Sequence, residues 1–198
     1  MVKRAKECAK FYNKAYLDAI ATIFLDSKIQ QAKKAVMRSL AKKVASTLSG
    51  KDSIVSLHIL ASLWAHRESA SPLYVIINRY IGRLKLPEKI IEDLVAIAKD
   101  ITSDAVITVT EFKWNGHSSL FNEIAKHYDF QVIVTGLRRQ ENGVVSFQVR
   151  NNVQLVAPLW QWKTSDVWAY LVVHDLYVPD VYCNALSPFE SLQRLILT

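Results

Sequence analysis

Six consecutive residues, Leu48-Ser49-Gly50-Lys51-Asp52-Ser53, carry the chemistry most worth placing in this chain. Small residues, a lysine and a helix start in that order make a turn that can grip phosphate. The backbone N–H groups at Ser49 and Gly50 can point at an anion, and the helix N-terminus adds a partial positive charge. Lys51 brings a full positive charge, and Ser53 brings a hydroxyl donor in the first helical turn. Thr47 or Ser49 supplies a further hydroxyl. The spacing excludes a Walker A loop, because no second glycine lies five residues upstream of the Gly-Lys pair. A second basic group follows at Thr135-Gly136-Leu137-Arg138-Arg139-Gln140-Glu141. A glycine at a strand end lets the chain turn sharply beside a ligand, and adjacent arginines can offer paired donors to phosphate or sulfate.

These two segments need a scaffold that brings them together. Residues 44–48 read as a first buried strand, and the helix after the Lys51 turn is apolar nearly all round through Ile54, Val55, Leu57, Ile59, Leu60 and Trp64. Residues 73–77 form a continuous apolar run of the kind found in central parallel strands. Pro87 opens the next helix, whose stripe is Ile90, Ile91, Leu94, Ile97 and Ala98. Residues 105–110 give a third strand, residues 117–128 a helix, and residues 131–135 a fourth strand. Alternation of this kind predicts a doubly wound, mainly parallel α/β sheet flanked by helices. Ligands of such sheets sit at the carboxyl ends of the strands, where residues 49–53 and 135–139 both fall.

Beyond Gly136 the pattern changes. Residues 144–149 and 153–156 flank Asn151-Asn152 and predict a hairpin or two extended segments. A last helix follows Thr164, whose hydroxyl can cap it, with Asp166 in the first turn. Two helices precede the sheet, with Phe11, Leu17, Ile20 and Phe24 on one stripe and Ile29, Ala32, Val36 and Leu40 on the next. The expected division is basic N-terminal helices over 1–43, a nucleotide-binding α/β region over 44–182 and a C-terminal tail over 183–198.

Composition bounds the function classes. With 51% hydrophobic and 22% charged residues over 198 positions, the chain has the make-up of a soluble globular protein rather than a disordered one. No apolar run approaches bilayer-spanning length, so no membrane partner is expected. The net charge of +7 is uneven: residues 1–50 hold 11 Lys/Arg against Glu7, Asp18 and Asp26. Those helices could follow a nucleic-acid backbone, or simply present a solvated face. The 2 cysteines, Cys8 and Cys183, lie far apart in no metal or redox spacing, which suits a reducing cytoplasm and predicts a small, partly buried Cys183 thiol. The histidines show no metal-ligand spacing, and no metal site is expected.

The turn at 48–53 resembles the S-G-G-K-D-S loop of the PP-loop superfamily, the adenine nucleotide alpha-hydrolases, with Leu48 and Ser49 departing from its first two positions. Residues 135–141 resemble the T-G-x-R-R-x-E/D signature of the phosphoadenosine phosphosulfate (PAPS) reductases in that group. Ala157-Pro158-Leu159, followed by residues 162–168 (W-K-T-S-D-V-W), is similar to that family's P-L-x-x-W-T-x-x-D-V-W segment. The resemblance implies an adenine nucleotide (PAPS, APS or ATP) whose phosphates meet Thr47, Ser49, Gly50, Lys51, Asp52 and Ser53. Gly136, Arg138 and Arg139 would form a second wall, with Lys51, Arg138 and Arg139 as the catalytic cations. Adenine contacts fall near Asn78 and Arg79. It also implies Mg²⁺ held by the phosphates and Asp52 if ATP is the substrate, and it allows a thiol reductant protein or a homodimer as partner. The family's C-terminal E-C-G-I/L-H segment is missing, as are the paired cysteines of an iron–sulfur cluster, so no cluster is expected. Three readings follow: a PAPS reductase-like enzyme, an ATP pyrophosphatase-type AMP-transfer enzyme, and a non-catalytic nucleotide- or nucleic-acid-binding module.

Overall fold

The computed structural model describes residues 2–10, 12–67, 71–81, 83–113, 117–139, 147–150 and 153–184. In chain order the strands are β1 (Val2–Arg4), β2 (Val44–Thr47), β3 (Tyr74–Asn78), β4 (Tyr80–Ile81), β5 (Leu84–Lys85), β6 (Val106–Thr110), β7 (Val132–Val134), β8 (Phe147–Arg150), β9 (Val153–Val156) and β10 (Tyr177–Pro179). The helices are α1 (Ala5–Cys8), α2 (Lys14–Ile20), α3 (Asp26–Met37), α4 (Lys51–Trp64), α5 (Glu88–Ile101), α6 (His117–Tyr128) and α7 (Thr164–Val173). A π-helical turn, Ala21–Leu25, joins α2 to α3, and a 3₁₀ turn covers Asp180–Asn184.

Six strands form the main sheet in the order β6-β3-β2-β7-β9-β8. The first five run parallel, and β8 pairs antiparallel with β9 at the edge. The chain leaves β2 through α4 to β3 and through α5 to β6, then returns through α6 to β7 on the other side of β2. That reversal puts a topological switch point between β2 and β7, where ligand crevices open in sheets of this type.

The strands alternate between two apolar cores, as a period of two requires. Val44, Val75, Ile77, Val132, Val134 and Val156 face a layer built from α1 to α5 and α7. Ala45, Ile76, Ile133, Val153 and Leu155 face the other way, onto Leu120, Phe121 and Ile124 of α6. Both faces of the central strands are therefore dry, which explains their unbroken apolar runs. Gln154, on the first face, satisfies its amide at Lys42 and Ser39.

Three expectations are corrected. Leu17 and Ile20 are buried, but Phe24 is 56% exposed and Leu25 takes its place in the core. The π turn inserts one residue into the helical count and rotates the stripe by one position. Thr164 is the first residue of α7 rather than its cap: Asp166 Oδ2 accepts the Lys163 N–H at 2.6 Å instead. Cys183 is not a lone thiol, because it is disulfide-bonded to Cys8 across a sequence separation of 175. The antiparallel pair β1·β10 brings both termini of the described chain to one place and makes that bond reachable. The hairpin turn expected at Asn151-Asn152 lies outside the described residues, although the strands on either side pair as anticipated.

Candidate functional site

The Lys51 turn forms at the carboxyl end of β2 because the apolar strand stops at Leu48 and α4 begins at once. Ser53 ties the turn internally. Its Oγ accepts the N–H groups of Ser49 (2.8 Å) and Gly50 (2.9 Å) and donates to the Gly50 carbonyl at 2.8 Å. The two N–H groups expected to face an anion are thus already engaged, and Ser53 acts as the knot of the turn. The Lys51 N–H, the first orphan donor of α4, goes to the Tyr182 hydroxyl at 3.2 Å.

Lys51 and Arg138 meet over one carboxylate. Lys51 Nζ lies 3.1 Å from Asp52 Oδ2, and Arg138 Nε lies 2.7 Å from Asp52 Oδ1. Arg138 also donates through Nη1 to Thr164 Oγ1 at 3.0 Å. Both cations are almost wholly buried, at 1% and 2% exposure. Burial pushes the Lys51 ammonium pKa down, but Asp52 and Tyr182 outweigh it against the opposing Arg138, and the net direction is upward. Lys51 therefore stays charged. Two cations thus share one carboxylate, an arrangement that could meet an anionic ligand.

Gly136 makes this meeting possible. A Cβ there would stand 2.4 Å from Ser53 N and 2.6 Å from the Asp52 carbonyl carbon, contacts that backbone atoms cannot relieve cheaply. Only glycine lets the chain after β7 lie against the first turn of α4. Ser56 Oγ, donating to the Thr135 carbonyl at 3.3 Å, fastens the same junction one turn further along.

The other candidate residues separate from this centre to different degrees. Thr47 Oγ1 reaches the Val134 carbonyl at 3.5 Å, and Ser49 is exposed at the turn. Arg139 is exposed, and its backbone N–H donates to the Trp160 carbonyl; Glu141 lies outside the described residues. Asn78 is nearly buried and spends its amide on the chain. Its Nδ2 donates to the Tyr80 and Phe112 carbonyls, and its Oδ1 accepts from Thr110 Oγ1 and the Phe112 N–H. Arg79 pairs with Glu88 and Glu111.

Three residues at the centre were not anticipated there. Tyr182 is 2% exposed, stands edge-on to Trp168 and places its ring 5.8 Å from Lys51 Nζ. Asp166 pairs with Lys28 of α3 beside the Thr164–Arg138 contact. Tyr12, stacked on Tyr16, lies close enough for Lys51 and Arg138 to pull its phenol pKa down, although burial and Tyr16 push it up and prevail. Tyr12 has no spacing signature, whereas Asp166 lies in the 162–168 segment already singled out, which gave no sign of its pairing with Lys28. Both oxygens of Asp52 are shared between Lys51 and Arg138, and among the described residues no three His, Cys, Asp or Glu converge. The side chains present do not fit a protein-held Mg²⁺.

The chain is a doubly wound α/β protein whose mainly parallel sheet meets a Gly-Lys turn and an arginine loop at its switch point. Residues 109–191 match the family model described as the phosphoadenosine phosphosulfate reductase domain, a span that holds Gly136, Arg138 and Tyr182. Among solved structures, PAPS reductase from Candida auris, in its phosphate complex, is similar with TM-score 0.52 and 11% identity over 86% of this chain and 91% of that one. FMN adenylyltransferase from Candida glabrata, in complex with FMN and the ATP analog AMPCPP, gives TM-score 0.58 and 17% identity over 84% of this chain and 65% of that one. The U34-tRNA thiolase from Methanococcus maripaludis, with its 4Fe-4S cluster, gives TM-score 0.51 and 16% identity over 87% and 70%. No curated protein matches by sequence.

Proposed function

We propose that the chain binds an adenine nucleotide, PAPS, APS or ATP, with a phosphate or sulfo group at the Lys51 turn. The observation that carries this reading is the convergence of buried Lys51 and Arg138 on Asp52 at the switch point, with Gly136 between them. An arriving anion would meet the two cations that share Asp52. Lys51 would bind the phosphate as a point charge, and Arg138, held by Asp52 and Thr164, would present a planar guanidinium beside it. Arg139, on the exposed side of the same loop, would meet the ligand's outer anionic group.

Two chemistries are open to such a nucleotide. While Cys8 and Cys183 are joined, the folded chain offers no thiolate to attack a sulfo group, and reduction of the bond would free two. AMP transfer of the ATP pyrophosphatase type needs none: an external nucleophile attacks the alpha-phosphorus, the bond to the bridging oxygen breaks, and pyrophosphate leaves with the electron pair, its charge met at the turn. Reduction of PAPS would need an external thiol. Calorimetry with ATP, AMP and PAPS tests the binding. Lys51→Ala should weaken it by about ten- to a hundredfold, the worth of a charge-assisted contact, and unchanged affinity removes the reading. Pyrophosphate release from ATP against thiol-dependent sulfite release from PAPS separates the two chemistries.

A further inference from the structure

The anion-binding groups of the Lys51 turn are covered by the chain itself, and the cover is fastened by a bond that a thiol can break. The Lys51 N–H is taken by the Tyr182 hydroxyl, the Lys51 ammonium faces the Tyr182 ring, and all three groups are buried. Tyr182 belongs to β10 and the 3₁₀ turn after it, a segment whose Val178 and Tyr182 are buried in the core. That segment holds to the body through the three-residue ladder β1·β10, the Lys10 Nζ donation to the Cys183 carbonyl at 2.6 Å, and the disulfide from Cys183 to Cys8 in α1. The disulfide sits one residue from the tyrosine and is the covalent tie between the cover and α1.

We propose that the Cys8–Cys183 disulfide is a redox latch that keeps Tyr182 in the ligand's place at the Lys51 turn, and that its reduction admits the nucleotide. The nucleotide arm of this proposal rests on the reading above; the latch itself does not. A dithiol reductant would open it: one reductant thiolate attacks an Sγ, the Cys8–Cys183 bond breaks, and the second thiol closes the reductant's own disulfide. Two electrons and two protons thereby pass to the cysteines. The cover is then held by the β1·β10 ladder, the Lys10 contact and the packing of Tyr182 beside Trp168, without a covalent tie. A phosphate can compete for the Lys51 N–H, since a charge-assisted bond is roughly twice as strong as the neutral one it replaces.

Hydrogen exchange and calorimetry on the full chain test this. The Lys51 amide is the direct reporter: as the first residue of α4 it has no helical acceptor, and its protection comes from Tyr182. Dithiothreitol should accelerate Lys51 exchange at least tenfold more than it accelerates β2 and β7, which report the loss of global stability, and should tighten ATP binding at least tenfold. Cys183→Ser should show both properties without reductant, and Tyr182→Ala should show both with the disulfide intact. Lys51 exchange that is equal in oxidised and reduced protein overturns the latch. Fast exchange on reduction with no ATP bound by either form supports the latch and overturns the nucleotide reading instead.

Discussion

A methyl group at position 136 would lie 2.4 Å from the Ser53 backbone nitrogen, so the packing of two loops turns on a missing Cβ. Gly136→Ala should cost about 3 kcal/mol, the upper part of the range for overpacking; urea denaturation measures it, and a cost under about 1 kcal/mol would show that the junction yields. Arg138 and Arg139 make a second contrast at this scale. Arg138 is buried against Asp52 and Thr164, and a lysine there keeps the charge but loses the planar fork that reaches both. Arg138→Lys should lower stability by about 1–2 kcal/mol, whereas Arg139→Lys, at an exposed position, should stay within about 0.5 kcal/mol; thermal melts of the two variants separate them. The sequence made Lys51, Gly136 and the arginine pair visible because glycine and cations next to strand ends have few other uses. It could not rank the two arginines. Nor could it show that Ser53, read as a donor to ligand, would accept the N–H groups of Ser49 and Gly50.

At the scale of elements, α4 and α7 share a buried polar contact that their apolar faces conceal. His58 Nδ1 lies 2.8 Å from the Tyr170 hydroxyl. Burial pushes that phenol pKa up, so it keeps its proton and donates to the ring nitrogen. Burial, then His174 and Lys33, push the His58 pKa down to about 4 against the weaker pull of Asp100, and burial with Lys33 lowers His174 as well. Both imidazoles are thus held neutral in the folded chain and take up protons sooner when unfolded. Stability contributed this way is fully present above the ordinary histidine value and is lost as pH falls from about 6.5 towards about 4. We expect a loss of about 2 kcal/mol across that window, read from urea midpoints. His58→Gln, which keeps an acceptor near Tyr170, should flatten the slope, and an unchanged slope would place the titration elsewhere. The strands and helices themselves were legible, since a dry parallel sheet writes unbroken apolar runs. The π turn was not: a one-residue insertion leaves the amino acids of a helix in place and moves only their phase, so Phe24 read as core and Leu25 did not.

Across the whole molecule, the ends of the described chain are brought together by contacts between segments that look unremarkable alone. Val2 faces Pro179 and Arg4 faces Tyr177 across the β1·β10 ladder, with the Arg4 guanidinium 3.7 Å over the Tyr177 ring. Two cysteines separated by 175 positions carry no spacing signal, so only the closed fold shows that they meet. Local reading predicts a partly buried thiol at Cys183 and cannot reveal a pair formed by long-range topology. A cross-link over so long a loop restricts the unfolded chain strongly; natural bonds of this kind contribute about 2–4 kcal/mol. Dithiothreitol should therefore lower the urea midpoint by that equivalent, and Cys8→Ser or Cys183→Ser should reproduce the reduced value with no further response to reductant. Because this effect acts on the unfolded state, it should leave the exchange rates of the central strands β2 and β7 set by global unfolding alone. A reductant effect on the midpoint that survives Cys8→Ser would mean that the stabilising bond is not the one joining α1 to the segment after β10.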